Sequence, residues 1–121
     1  MKDEKQPDLR KRTKEFALAV IRIFSSLPKT TEAQIIGKQV LRSATSVGAN
    51  YREACRARSN AEFISKVGDC LKELDETAYW FELLSESGIL SSEITLPQQD
   101  ECNQLLAIFT SISKKCKIQG K

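Results

Sequence analysis

The chain has 121 residues, 40% of them hydrophobic and 29% charged, with five Gly, three Pro, four Cys and no His. That length suits one domain, spanning 1–121, that buries a core without disulfide or metal staples, and so little Gly and Pro leaves scant turn material for an all-β fold. The formal net charge is +3, unevenly distributed: residues 31–58 carry five basic and two acidic side chains, whereas residues 59–96 carry two and eight.

The first helix is expected over about 8–27, with Asp8 as N-cap and Pro28 at the exit. Leu9, Phe16, Val20, Ile23 and Leu27 share one face at roughly 100° per residue, and Lys11, Lys14 and Arg22 lie opposite. The second helix is expected over about 32–58, opened by Thr31-x-x-Gln34 as a capping box. Its apolar face is Ile36, Val40, Ala44, Val47, Tyr51 and Ala54. Beside it runs a small-residue seam containing Gly37, Ala44 and Gly48. Glycine inside a helix costs roughly 1 kcal/mol relative to Ala, which points to close approach of another helix; a ligand or nucleic acid against the bare backbone is the alternative.

Ser59-x-x-Glu62 is a second capping box, so the turn into the third helix, about 60–87, is tight and forces an antiparallel hairpin. Phe63, Val67, Cys70, Leu71, Leu74, Ala78 and Phe81 form its inner stripe, and Gly88 is placed to cap its end. The fourth helix is expected over about 96–118, with Thr95-x-x-Gln98 as its box and Pro97 in its first turn. Leu105, Leu106, Phe109, Ile112 and Cys116 face inward, and Gln119–Lys121 should fray. Four amphipathic helices with short links predict an all-α, antiparallel up-down-up-down four-helix bundle. Met1–Pro7 lacks the apolar core of a signal peptide, and no apolar run nears the roughly 18 residues of a membrane span, so a cytoplasmic protein without a membrane partner is expected. Cys55, Cys70, Cys102 and Cys116 form no C-x-x-C pair and are read as free thiols.

Two surface features carry function. On the second helix Lys38, Arg42, Arg52 and Arg56 fall within about 40° of one line, a basic stripe about 27 Å long with Thr45 and Ala49 at its centre. Guanidinium groups spaced along a rod suit phosphate oxygens; a solvated face paired with carboxylates such as Glu53 would give the same pattern. In the third helix Thr77–Leu84 is apolar nearly all round, which requires partners on more than one side. Tyr79, Trp80 and Leu83 are therefore assigned to a homo-oligomer interface, the alternative being a wide core face. Glu62, Asp69, Glu73 and Glu76 resemble the acidic lining of di-iron bundles, but those sites pair Glu with His, and this chain has none. Without His, a Gly-rich phosphate loop or a nucleophile–base set, neither catalysis nor a metal or other cofactor is expected.

The run Ile35–Ala54, with Gly37, Arg42, Gly48, Asn50, Tyr51, Arg52 and Glu53, resembles the hallmark of the four-helix-bundle proteins encoded by intervening sequences of 23S ribosomal RNA genes. Lys72–Leu84, with Asp75, Glu76, Thr77, Trp80 and Glu82, is similar to that family too, as is Arg12–Ala17; the resemblance extends from about Leu9 to Cys116. It implies a bundle that assembles as a ring, commonly a homopentamer. Some relatives are accessory proteins of diversity-generating retroelements, whose basic barrel contacts nucleic acid and a reverse transcriptase. On this chain the resemblance makes Arg42, Arg52 and Arg56 the nucleic-acid candidates, and gives Asn50, Glu53, Asp75 and Glu76 either that role or one in holding subunits together. The expectation is a non-catalytic oligomer binding RNA or DNA through its basic surface, the alternative being a protein-interaction scaffold or accessory subunit without nucleic-acid contact.

Overall fold

Each of the first three helices begins where a side-chain oxygen takes up an otherwise orphaned backbone N–H. Asp8 accepts from Lys11 at 3.3 Å, Thr30 from Ala33 at 3.3 Å and Ser59 from Glu62 at 3.0 Å. The computed structural model describes residues 8–119, which form α1 (Leu9–Ser25), α2 (Thr31–Cys55), α3 (Asn60–Glu86) and α4 (Ser92–Gln119). The start Met1–Pro7 and the tail residues Gly120 and Lys121 lie outside the described residues.

Four boundaries differ from those expected. The cap of α2 is Thr30, one residue before the expected Thr31, because Gln34 donates its side-chain amide back to the Pro28 carbonyl at 2.8 Å instead of closing a capping box. Both α1 and α2 stop short of Leu27 and Arg58, since the chain tightens into i→i−3 bonds: Leu27 N–H to Phe24 at 3.1 Å and Ala57 N–H to Ala54 at 3.0 Å. The largest difference is in α4, which starts at Ser92 instead of about residue 96 and carries Pro97 inside it. Thr95 is fully buried, with no partner for its hydroxyl among the described residues, so it packs and does not cap. The Ser91 carbonyl accepts from Ile94 and Thr95 at 3.1 and 3.2 Å, which starts the helix a turn early. Pro97 then removes one N–H near the helix start. At the end of α3, Gly88 adopts φ +80° and donates to the Ser85 carbonyl at 3.1 Å, while Leu90 reaches back to Leu84 at 3.0 Å. Only a residue without Cβ takes that left-handed conformation freely.

The short links make sequential helices antiparallel neighbours, with α2 and α3 as a long central hairpin. The core is drawn from all four: Phe16 and Val20, Val40 and Val47, Leu74 and Phe81, Leu105 and Phe109 are buried. Tyr51 stands edge-on to Phe109, ring centroids 5.5 Å apart. The helices also bury hydroxyls that the apolar stripes do not announce. Thr13 donates to the Leu9 carbonyl at 2.6 Å, and the Ser43 and Thr77 hydroxyls share a hydrogen bond at 2.7 Å across the α2–α3 contact. Burial pushes the Cys70 and Cys102 thiols up to about 12, which keeps both protonated and unreactive. Cys55 is exposed and Cys116 half-buried.

The seam on α2 is where α1 lies closest. A Cβ built on Gly37 would stand 2.4 Å from Leu27 Cδ1, and one on Gly48 would stand 3.1 Å from Thr13 Oγ1. Ala44, between them on the seam, is buried. On its other side α1 is clamped to α4 by Arg12, whose guanidinium meets Glu101 at 2.7 and 2.8 Å and Gln104 at 2.8 Å. The bond to Glu101 holds Arg12 still more firmly protonated. No helix among the described residues is long and apolar enough to cross a membrane.

Candidate nucleic-acid interface

The four basic residues of α2 have different fates. Arg42 is drawn sideways onto α3, where its two terminal nitrogens meet Glu73 at 3.3 Å and Glu76 at 2.5 Å. Its charge is thereby largely neutralised within the subunit. Lys38, Arg52 and Arg56 are exposed and pair with no carboxylate among the described residues. Glu53 does not pair with the stripe either; it takes Lys66 of α3 at 2.7 Å. The continuous stripe is therefore broken at Arg42.

A second arrangement replaces it. Arg10 and Lys14, one turn apart on α1, share with Arg52 of α2 a shallow groove of about 290 Å³ that is otherwise lined by Thr13, Ala17, Thr45, Gly48 and Ala49. The close approach at Gly48 and Thr13 brings the two helices near enough for cations from both to line one groove. None of the three makes an ion pair among the described residues. That lining is of small side chains, so a phosphate could reach the three cations. No aromatic lines it, which leaves base stacking without a platform there. Single-helix angles missed this groove: Lys14 read only as part of the polar side of α1, and Arg10 carried no signal. The available clue was their i, i+4 spacing, which puts both on one strip of helix.

The aromatic stretch of α3 divides by rotation. Phe81, Thr77 and Leu84 are buried, Trp80 and Leu83 are half-buried, and Tyr79 is 53% exposed. The Tyr79 and Trp80 rings lie 5.2 Å apart, and the Trp80 indole N–H is buried without an acceptor among the described residues. Other exposed apolar residues are Leu18 and Ile21 on α1, Ile35 on α2, and Ile94, Leu96 and Ile118 on α4. Of the acidic residues, Glu73 and Glu76 hold Arg42, Glu62 accepts from the Arg58 N–H at 2.8 Å, and Asp69 and Asp75 are exposed.

Fold and surface together define an antiparallel four-helix-bundle protein with a basic inter-helix groove. The family model of the 23S rRNA-intervening sequence protein matches residues 5–111, and the chain belongs to that family. It is also similar to a crystal structure of a protein with unknown function from the S23 ribosomal protein family of Bacteroides thetaiotaomicron VPI-5482. That chain is 35% identical, with a TM-score of 0.83 over 88% of this chain and 98% of its own. A search of curated proteins gave no match.

Proposed function

We propose that this protein is a non-catalytic, self-assembling cytoplasmic bundle that binds nucleic acid, RNA or DNA, through phosphate contacts. The observation that carries this is the groove lined by Arg10, Lys14 and Arg52, which pair with no carboxylate among the described residues. Three cations beside small side chains suit phosphate oxygens and offer nothing to read a base, so binding should be tight in proportion to charge and tolerant of sequence. The test is fluorescence anisotropy with labelled RNA and duplex DNA across a salt series. Replacing Arg10, Lys14 and Arg52 by Ala should lower the log–log salt slope by about 2–3 and affinity near 0.1 M salt by about 10²-fold. Arg42→Ala should do far less, since Glu73 and Glu76 already hold that charge. A triple variant that binds as well as wild type would overturn the reading in favour of a protein-interaction scaffold.

Self-assembly is supported by exposed apolar side chains on separate helices, Leu18 and Ile21 on α1, Tyr79 on α3 and Ile94 and Leu96 on α4. Joining unlike faces head to tail closes a ring when the rotation between subunits closes, and a ring is the assembly that the family resemblance implies, as a pentamer. Tyr79→Glu should reduce the mass seen by light scattering with helicity intact, because Tyr79 is 53% exposed and little of the fold rests on it. A wild type that is monomeric at high concentration would dispose of the assembly.

A further inference from the structure

The contacts between helices give each exposed side chain a height along the bundle. Thr13 lies against Gly48 and Phe24 against Gly37, so α1 and α2 run antiparallel in step, and Ile21 stands level with about Val40. The Ser43–Thr77 hydrogen bond sets α3 against α2 in the same way, and Tyr79 falls level with about Leu41. Cys102 Sγ reaches the Leu74 carbonyl at 4.0 Å, which brings Leu96 of α4 level with about Trp80. Ile21, Tyr79 and Leu96 are all exposed, and at 1.5 Å per residue their heights agree to within about 3 Å.

Their directions differ. Ile21 is one turn beyond Ala17, which lines the α1–α2 groove, so it continues that strip on the α2 side of α1. Tyr79 is about 160° around α3 from Thr77, the residue that meets α2, and so points away from α2. Charge divides with direction. Residues 16–29, around Leu18 and Ile21, carry Arg22 and Lys29 and no carboxylate. Residues 73–91, around Tyr79 and Leu83, carry five carboxylates and no cation. Of these, Glu73 and Glu76 hold Arg42, which leaves Asp75, Glu82 and Glu86.

Building on the self-assembly proposed above, we infer that the face of α1 around Leu18 and Ile21 docks on the face of α3 around Tyr79, with Leu96 of α4 beside it, in a second copy of this chain. Pairing like with like would set Arg22 and Lys29 against themselves, or Asp75, Glu82 and Glu86 against themselves. Unlike faces bring opposite charges together around an apolar centre. Because the two faces are level, copies with parallel helices meet with almost no rise, the condition that a ring needs and a helical filament lacks. The same operation sets Arg10, about 16 Å from Ile21 along α1, toward one rim in every copy, so the basic grooves gather on one side of the assembly.

The test is complementation between two full-length variants, each spoiled on one face. Ile21→Glu and Tyr79→Glu, both at exposed positions, should each keep wild-type helicity and sediment as a monomer at a concentration where wild type is assembled. Mixed in equal amounts they should give a species of twice the monomer mass. The intact α1 face of one variant docks on the intact α3 face of the other, and the two spoiled faces stop growth there. Ile118→Glu, on an exposed apolar residue near the end of α4, should leave the wild-type mass unchanged. Either single variant assembling like wild type would overturn the docking, as would an equimolar mixture that stays monomeric. Those results beside an assembled wild type would leave self-assembly standing through other faces, whereas a monomeric wild type would remove the self-assembly reading itself.

Discussion

Phe81→Ala should destabilise the bundle by about 3–5 kcal/mol, while Tyr79→Ala, two residues away in the same helix, should change subunit stability by no more than about 0.5 kcal/mol. Phe81 is fully buried and is among the largest side chains that are, so its removal forfeits both the transfer of the ring from water and the dispersion contacts around it. The surrounding Leu and Val side chains come from separate helices held by their own caps and cannot all close on the space. Tyr79, 53% exposed, has little to lose. For a chain of this size the Phe81 loss corresponds to about 12–20 °C in Tm, a large share of the roughly 5–15 kcal/mol that holds a domain together. Urea denaturation followed by helical circular dichroism, repeated over a range of protein concentrations, separates this from any effect of assembly. If Phe81→Ala cost under about 1 kcal/mol, the rotation of α3 assigned by the structure would be wrong.

The fold was largely legible because it is written in local signals. Asp8, Ser59 and Gly88 were each recognisable as termini from one residue type at one offset, and the apolar periods put Val40, Val47, Val67, Leu74, Leu105 and Phe109 inside. Where the local signal was ambiguous, tertiary packing decided. Thr95 has the chemistry of a cap, yet the core takes it, and the helix runs through Pro97 instead of starting beside it. The buried hydroxyls Thr13, Ser43 and Thr77 were invisible to a search for apolar stripes, since each satisfies itself by a bond that exists only in the folded helix pair or turn.

The basic site was less legible, for a different reason. An angular reading of α2 gives the direction of each cation but not what stands opposite. Arg42 and Arg52 look equivalent on the wheel; one faces the carboxylates of α3 and is bound by them, the other faces α1 and meets two more cations. Which neighbour lies on which side is a property of the packing of three helices, and only the sum of charges over segments hinted at it: α3 belongs to the acidic stretch and α1 to a basic one.

The seam between α1 and α2 yields the second large effect. Gly37→Val should destabilise the protein by about 2 kcal/mol, whereas Gly68→Ala in α3 should stabilise it by up to about 1 kcal/mol. Both glycines interrupt a helix, so propensity alone favours replacing either. Space separates them: a Cβ on Gly68 meets nothing within 4 Å, while one on Gly37 falls 2.4 Å from Leu27 Cδ1 and 3.1 Å from Phe24 Cδ1. Leu27 is itself buried, at the point where the chain leaves α1 for the Pro28 turn, so its side chain has little free direction in which to retreat. Alanine at Gly37 sets a gain in helix propensity against a displaced Leu27 and should come out near neutral. Valine adds two methyl groups to the same gap and must push α1 away, loosening the approach that also brings Arg10 and Lys14 to Arg52. The urea midpoints of the three variants check the ordering, and the Val variant should lose nucleic-acid affinity without losing a charge. Gly37→Val with wild-type stability and affinity would mean that α1 does not sit against this seam.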